Sequence, residues 1–133
     1  MKTVKIIIEK TKNMYSSYAE NVEGVYGGGN TVEQAKQSAL DGIRLLIENN
    51  SAKNIPAILK GKYQVIYKFD TQSFLNYYKG IFTNSGLEKV TGIKQRQLQH
   101  YSTGLKKPRA AQAEKIEKAL HKLGSELLSV ELN

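Results

Sequence analysis

The sequence predicts an α+β protein, in which a small antiparallel-type sheet with one packed helix is followed by an all-helical region. Apolar and polar residues alternate in several short runs near the amino terminus and again in residues 62–69, as they do in strands. From residue 70 onwards, apolar residues recur at intervals of three and four, which is the period of amphipathic helices. We therefore expect two domains, residues 1–69 and 70–133.

The first domain is expected to begin with three short strands. Val4, Ile6 and Ile8 fall on one face of the first run, and a second run occupies residues 14–19. The glycine-rich residues 24–29 can hold a third strand. Such closely spaced runs are typical of antiparallel hairpins.

One helix and a last strand complete this domain. Asn30 or Thr31 can cap a helix over residues 31–50, in which apolar residues recur at helical intervals: Val32, Ala35, Ala39, Ile43, Leu46 and Ile47. Residues 62–69 return to strand composition after Pro56. The expected order is β-β-β-α-β, with the helix covering one face of the sheet.

The second domain is expected to contain only helices. Apolar residues lie on one side of each of four segments: Thr71 to Phe82, the stretch around Leu87, the stretch around Leu98, and Arg109 to Leu123. Leu127 to Leu132 fits either a last helix or a strand.

Composition favours a polyanionic partner. Twenty Lys and Arg residues against 12 Asp and Glu residues give a net charge of +8, and each expected domain holds 10 basic and 6 acidic residues. The chain has no cysteine, which excludes disulfides and thiolate metal sites, and its two histidines argue against a histidine-rich metal site. We expect a cytoplasmic protein, because neither a membrane span nor a signal sequence is recognisable.

Residues 86–108 read GLEKVTGIKQRQLQHYSTGLKKP, a pattern that predicts a helix-turn-helix. Gly92 can take the left-handed conformation of a sharp turn, and Ile93 can fill the space between the two helices. Leu98 and Tyr101 would seat the second helix on the core, and Gly104 would end it.

This arrangement leaves five polar side chains of the second helix without a core role: Gln95, Arg96, Gln97, Gln99 and His100. Arginine can donate two hydrogen bonds to guanine, and glutamine can pair with adenine in the major groove, so we interpret these residues as base readers. Phosphate contacts are expected from their neighbours Lys94, Thr103, Lys106, Lys107 and Arg109. The alternative is an ordinary helical hairpin with a solvated basic face.

The segment Leu87 to Leu123 resembles the lambda-repressor-like, Xre-type helix-turn-helix family. The matching residues are Leu87, Val90, Gly92, Ile93, Leu98, Gly104, Lys107 and Pro108. Lys89 departs from the family pattern, which usually has alanine there. The resemblance implies binding to operator duplex DNA and places Gln95, Arg96, Gln97 and His100 on the recognition helix.

The amino-terminal string MYSSYAENVEGVYGGGNTVEQAKQSALDGIRLLIEN resembles the HicB antitoxin family, whose amino-terminal domain has a truncated ribonuclease-H-like fold. The matching residues are Tyr18, Glu20, Val22, Gly24, Gly28, Thr31, Glu33 and Ala35. Glu23 and Val25 depart from the pattern, which favours proline and cysteine there. The resemblance implies an antitoxin that binds a small HicA-type mRNA-cleaving toxin and represses its own operon.

To bind a basic, RNA-binding toxin, the antitoxin is expected to present carboxylates and apolar surface. The candidate contacts are Tyr15, Tyr18, Glu20, Glu23 and Tyr26. Tyrosines bury a large area while keeping a polar tip, which suits them to interfaces. The alternatives are a solvated turn for the two glutamates and the core for the three tyrosines.

Other classes of function are less well supported. A metal-dependent nuclease would need Glu9, Asp41 and Asp70 to converge, and their positions do not require it. We expect no catalytic residue, metal or cofactor. Gly27 to Gly29 can cradle an anion on free amides, but a tight turn between strand and helix is favoured.

The alternative to an antitoxin is a free-standing transcriptional regulator whose first domain senses a ligand or oligomerises. Both interpretations predict a homodimer or a higher even oligomer, because a single helix-turn-helix covers only a short half-site. Leu127 to Leu132 is a candidate for the contact between subunits.

Overall fold

The computed structural model describes all 133 residues, which form two compact units, Met1–Asp70 and Thr71–Asn133. The amino-terminal unit contains β1 (Lys2–Lys10), β2 (Tyr15–Ala19), β3 (Tyr26–Gly29), α1 (Val32–Glu48) and β4 (Tyr63–Phe69), with short 3-10 turns at Ala52–Asn54 and Ala57–Leu59. The carboxy-terminal unit contains α2 (Thr71–Tyr77), a 3-10 turn at Tyr78–Gly80, α3 (Asn84–Thr91), α4 (Gln95–Thr103) and α5 (Ala110–Leu128). The protein is thus α+β.

The sheet is mixed, so the expectation of an antiparallel-type sheet was wrong for its last strand. The strand order is β3-β2-β1-β4; β2 is antiparallel to β1 and β3, whereas β4 runs parallel to β1 from Lys2 opposite Tyr63 to Ile8 opposite Phe69. The chain crosses the sheet through α1 before it enters β4. Such a crossover returns the chain in the same direction and produces a parallel pair.

Helix α1 covers one face of this sheet, packing on β3 and β2 and reaching β1. The Ser17 hydroxyl donates a buried hydrogen bond of 2.7 Å to the Ala35 carbonyl, which places this face of β2 against the helix. Thr31 is the N-cap, because its Oγ1 accepts a hydrogen bond of 3.1 Å from the Gln34 amide. The core of the unit lies between helix and sheet: Val4, Ile6, Ile8, Ala19, Val32, Ala35, Ala39 and Ile43.

The glycines of β3 allow α1 to approach the sheet closely. A Cβ on Gly27 would lie 2.8 Å from the Ala39 backbone nitrogen, and one on Gly29 would lie 2.4 Å from the Gln34 Cβ. The Gly28 amide donates to the Ser38 hydroxyl of α1 at 3.1 Å. Gly27 to Gly29 is therefore an edge strand packed on a helix, and not the tight turn that was expected.

The carboxy-terminal unit has its own core, formed by all four helices: Leu75, Leu87, Ile93, Leu98, Tyr101 and Ile116, with Phe74, Phe82 and Leu120 packed against it. The helix expected over residues 71–82 ends earlier, at Tyr77, and continues as a 3-10 turn. Helix α5 extends to Leu128, and the residues after Ser129 have no regular structure, so Leu127 to Leu132 forms neither a separate helix nor a strand. None of the helices combines the length and apolar character needed to cross a membrane.

Candidate nucleic-acid interface

The turn between α3 and α4 is held by local hydrogen bonds. Gly92 ends α3 with a φ of +76°, and its amide donates to the Glu88 carbonyl at 2.7 Å. The Thr91 hydroxyl donates to the Leu87 carbonyl and accepts from the Ile93 amide. Ile93 is buried between the helices. The expected left-handed glycine and the buried isoleucine are both confirmed, and together they fix the start of α4.

Both ends of α4 are capped. The Glu88 carboxylate accepts a hydrogen bond of 2.8 Å from the Gln95 amide, and a negative charge at a helix amino terminus is favourable. At the other end Gly104 has a φ of +82°, which confirms the expected C-terminal glycine, and the Lys106 amide donates to the His100 carbonyl at 3.2 Å. Helix α4 therefore has a defined start and end.

The buried side of α4 determines which residues point outward. Leu98 and Tyr101 are 0% and 2% exposed, as expected for residues that seat the helix on the core. Gln95, Arg96 and Gln99 are exposed and lie together on the opposite side of the helix. Three of the five predicted base readers thus form one surface, which we call the α4 face.

The other two predicted readers are half-buried. The Gln97 side-chain amide donates a hydrogen bond of 2.9 Å to the Tyr101 hydroxyl, so this glutamine is engaged with the core. His100 lies at the margin of the α4 face, and its Nδ1 atom is buried without a hydrogen-bond partner. The five predicted base readers therefore differ in exposure, although all are polar and close together in sequence: three are exposed and two are half-buried.

Gln99 is oriented by the preceding helix. The Asn84 side-chain amide, at the start of α3, donates to Gln99 Oε1 at 3.0 Å and leaves the Gln99 amide group pointing away from this contact. Beside this pair lies a cavity of about 250 Å³, lined by Leu75, Asn76, Lys79, Phe82, Thr83, Asn84, Gln99, Ser102 and Thr103. Asn84 was not predicted from the sequence, because its role depends on how α3 crosses α4.

Exposed cations flank α4 in the chain. Lys94, Lys106, Lys107 and Arg109 are all exposed, and no acidic residue occurs between residues 94 and 109. None of them forms an ion pair, whereas Arg44 and Lys118 elsewhere in the chain do. Thr103, the remaining predicted phosphate contact, is exposed, but its hydroxyl donates to the His100 carbonyl at 3.3 Å.

The sheet separates the predicted partner contacts of the amino-terminal unit. Tyr18 lies opposite both Ile7 and Tyr26 in the strand register, so these three residues share the face that points away from α1. We call this surface the tyrosine face. Tyr15 projects from the other side of β2, the side that faces α1, with the Lys10 ammonium 5.5 Å from its ring centroid.

Acidic groups accompany the tyrosine face. The Tyr18 hydroxyl donates to Glu9 Oε1 at 3.3 Å, and burial together with the negative charges of Glu9 and Glu20 raises the pKa of Tyr18. Glu20 and Glu23 are exposed, and Tyr26 is 72% exposed, which contradicts the alternative of a core position for this tyrosine. Glu9 was missed as a neighbour of Tyr18, although the alternation in β1 puts it on the same face as Ile7.

The carboxylates considered for a metal site are not brought together. No group of three or more His, Asp or Glu side chains is arranged to hold a metal ion. Glu9 accepts a hydrogen bond from Tyr18, and Asp41 lies 3.8 Å from the Arg44 guanidinium. The two surfaces that stand out are therefore the α4 face and the tyrosine face.

No protein-family model, curated protein or solved structure matches this chain.

Proposed function

We propose that this protein is an antitoxin that binds operator DNA through α3 and α4, acting as a helix-turn-helix, and binds a HicA-type ribonuclease toxin through its amino-terminal unit. The α4 face is the observation that carries the proposal. Gln95, Arg96 and Gln99 are exposed together on a helix whose other side is fully buried. Such a protein would act in the cytoplasm, where both operator and messenger RNA are found.

The chemistry of the α4 face suits the major groove of duplex DNA. A single helix fits this groove, and its residues read bases through hydrogen bonds to base edges. Arg96 has its guanidinium available for guanine, and Gln99 retains an amide group that can donate to a base. Gln97 is assigned to positioning Tyr101, because its side-chain amide is already engaged there.

The cations that flank α4 suit the DNA backbone. Lys94, Lys106, Lys107 and Arg109 are exposed and form no ion pair, so binding phosphate would break no internal contact. Their contribution to the binding free energy would be the same for every DNA sequence. It would fall as the salt concentration rises, because releasing counterions from DNA is then less favourable. The proposed division assigns specificity to the α4 face and affinity to these cations.

Selection from a pool of random duplexes tests the DNA-binding half of the proposal. The intact protein should enrich one motif, and footprinting should find that motif upstream of its own gene. The matched control is Arg96→Ala, which keeps the helix and removes the main base-reading group. Enrichment of no motif at low salt, or of the same motif by the Arg96→Ala variant, would contradict the assignment.

The tyrosine face supports the toxin-binding half. Tyr18 and Tyr26 are adjacent across strands, and Glu9 and Glu20 lie near Tyr18. The exposed Tyr26 and the half-buried Tyr18 beside carboxylates suit a basic partner, because they offer both apolar area to bury and opposite charge. Tyr15 is left out of this surface, because it lies on the other side of the sheet.

A pull-down of the intact protein from its own cells tests this half. A small basic protein with ribonuclease activity should co-purify. Tyr26→Ala and Glu20→Gln should reduce its recovery, whereas the matched control Tyr15→Ala, on the opposite side of the sheet, should not. Co-purification of a small metabolite without a protein would instead favour a free-standing regulator with a ligand-sensing domain.

A further inference from the structure

Strand β4 is an edge strand with little protection against pairing, since Lys68 is its only charged residue. It hydrogen-bonds only to β1, spans seven residues, and continues without proline or bulge from Tyr63 to Phe69. Edge strands normally avoid association by being short, bulged or charged. The opposite edge, β3, is short and glycine-rich, with four residues of which three are glycine.

The apolar side chains of β4 are incompletely covered. Helix α1 packs mainly on β3, β2 and β1. Over β4 its Lys36 ammonium lies 4.5 Å from the Tyr67 ring centroid, but Val65 and Tyr67 on this side remain half-buried. On the tyrosine face Ile66 is 43% exposed. A strand laid along β4 would cover side chains on both faces of the sheet.

We propose that this strand is β4 of a second copy of the chain, paired antiparallel about a two-fold axis at Ile66. Opposed residues of two paired strands lie on the same face of the sheet, and side chains alternate between faces along each strand. A two-fold axis perpendicular to the sheet therefore has to set one residue opposite its own copy in the other subunit. The axis at Ile66 pairs all seven strand residues, with Tyr63 opposite Phe69 and Val65 opposite Tyr67 of the other copy.

The charged residues at the ends of β4 favour the same register. With the axis at Ile66, Lys62 stands opposite Asp70 and Gln64 opposite Lys68 of the other copy, so opposite charges face each other at both ends of the ladder. An axis at Val65 would place Lys68 opposite Lys62, which is a repulsive pair. An axis at Tyr67 would leave Tyr63 without a strand partner.

The dimer has one continuous eight-stranded sheet, in the order β3-β2-β1-β4-β4-β1-β2-β3, because each copy contributes four strands. Its only remaining edges are the two short β3 strands. This inference goes beyond the proposed function, since the pairing requires neither DNA nor toxin. It also names a different surface from Leu127 to Leu132, where Leu128 is 90% exposed.

Single cysteines test the register, because the natural chain has none. Opposed residues of antiparallel strands have Cα atoms about 4.5–5.5 Å apart, within the range that a disulfide spans. Ile66→Cys should therefore cross-link to a dimer under mild oxidation with oxidised glutathione. Gln64→Cys alone should not, because its two copies lie about 13 Å apart, four residues along the ladder. A mixture of Gln64→Cys and Lys68→Cys proteins should cross-link again.

Multi-angle light scattering tests the dimer itself. Ile66→Lys places two like charges at the axis and should halve the measured mass. The Ile66 side chain is exposed enough for the monomer to tolerate the lysine, so the circular dichroism spectrum should not change. The control Tyr26→Lys, on the other edge, should keep the wild-type mass. The proposal is overturned by a monomeric wild-type protein, by an unchanged mass for Ile66→Lys, or by cross-linking through Leu128→Cys when Ile66→Cys stays uncross-linked.

Discussion

The two units have equal numbers of basic residues but arrange them differently. Met1–Asp70 and Thr71–Asn133 each contain 10 Lys and Arg residues, against 7 acidic residues in the first unit and 5 in the second. In the first unit Arg44 lies beside Asp41 and Glu48, and Glu9 and Glu20 flank Tyr18. In the second, Lys118 pairs with Glu114, but five cations lie between residues 94 and 109 with no acidic residue among them. The total charge of a domain therefore says less about its partner than the local grouping of its charges.

Leu98→Ala should give the largest effect and confine it to the carboxy-terminal unit. Leu98 is fully buried in that core, and truncating such a leucine costs about 2–5 kcal/mol. Calorimetry should show the carboxy-terminal unit destabilised and DNA binding reduced, with toxin binding retained. Leu105→Ala is the matched control, because Leu105 is 69% exposed. An equal loss of DNA binding and toxin binding would contradict the proposal that each unit binds a different partner.

Gly27→Ala should destabilise the amino-terminal unit instead. The new methyl group would lie 2.8 Å from a backbone nitrogen of α1, which cannot move without shifting the helix. We expect a loss of about 1–3 kcal/mol in urea denaturation. Gly80→Ala is the control, since a methyl group there meets nothing within 4 Å. A Gly27→Ala protein as stable as the wild type would show that β3 is not held tightly against α1.

Arg96→Ala should reduce specificity without reducing stability. We expect about 1–3 kcal/mol less preference for the selected duplex over random DNA, because a bidentate contact to guanine would be lost. Competition binding at constant salt measures this difference, and thermal melting is the control for folding. Equal losses of affinity for the selected and the random duplex would indicate that Arg96 contacts phosphate. The proposed difference in role between the α4 face and the flanking cations would then be wrong.

Lys106→Ala should weaken specific and random DNA alike. Removing one phosphate contact should lower the slope of log affinity against log salt by about one. Lys53→Ala is the control from the amino-terminal unit, where this exposed lysine has no proposed role. A change in the preferred sequence on replacing Lys106 would contradict its assignment as a phosphate contact.

Glu9→Gln should give the smallest effect, a lower pKa for Tyr18. Burial raises this pKa, and the Glu9 carboxylate raises it further by charge and by accepting the tyrosine hydrogen bond. A negative neighbour disfavours the phenolate, so removing it should let Tyr18 ionise at lower pH. NMR titration of labelled tyrosines, assigned with Tyr18→Phe, measures the change. Glu23→Gln should leave the titration unchanged.

Features set by neighbouring residues were predicted from the sequence. The order of elements, the glycine turns at Gly92 and Gly104 and the burial of Leu98 and Tyr101 all appear in the structure as expected. Of the two expected helix caps, Asn30 and Thr31, the structure uses Thr31. Each depends on backbone preference or on apolar period within a few residues. The nature of the partners remains a proposal, because it depends on molecules outside the chain.

Features set by distant residues came only from the tertiary structure. The parallel pairing of β4 with β1 depends on a crossover of more than 50 residues between the two strands. The strand register places Tyr26 beside Tyr18, and the packing of α3 against α4 brings Asn84 to Gln99. Sequence alone determined the type and order of most local elements, because these follow from local sterics and periodicity, whereas the early end of α2 and the β3 strand at Gly27 to Gly29 did not. Which polar side chains remain available to a partner was decided by packing, because burial depends on the elements that meet there.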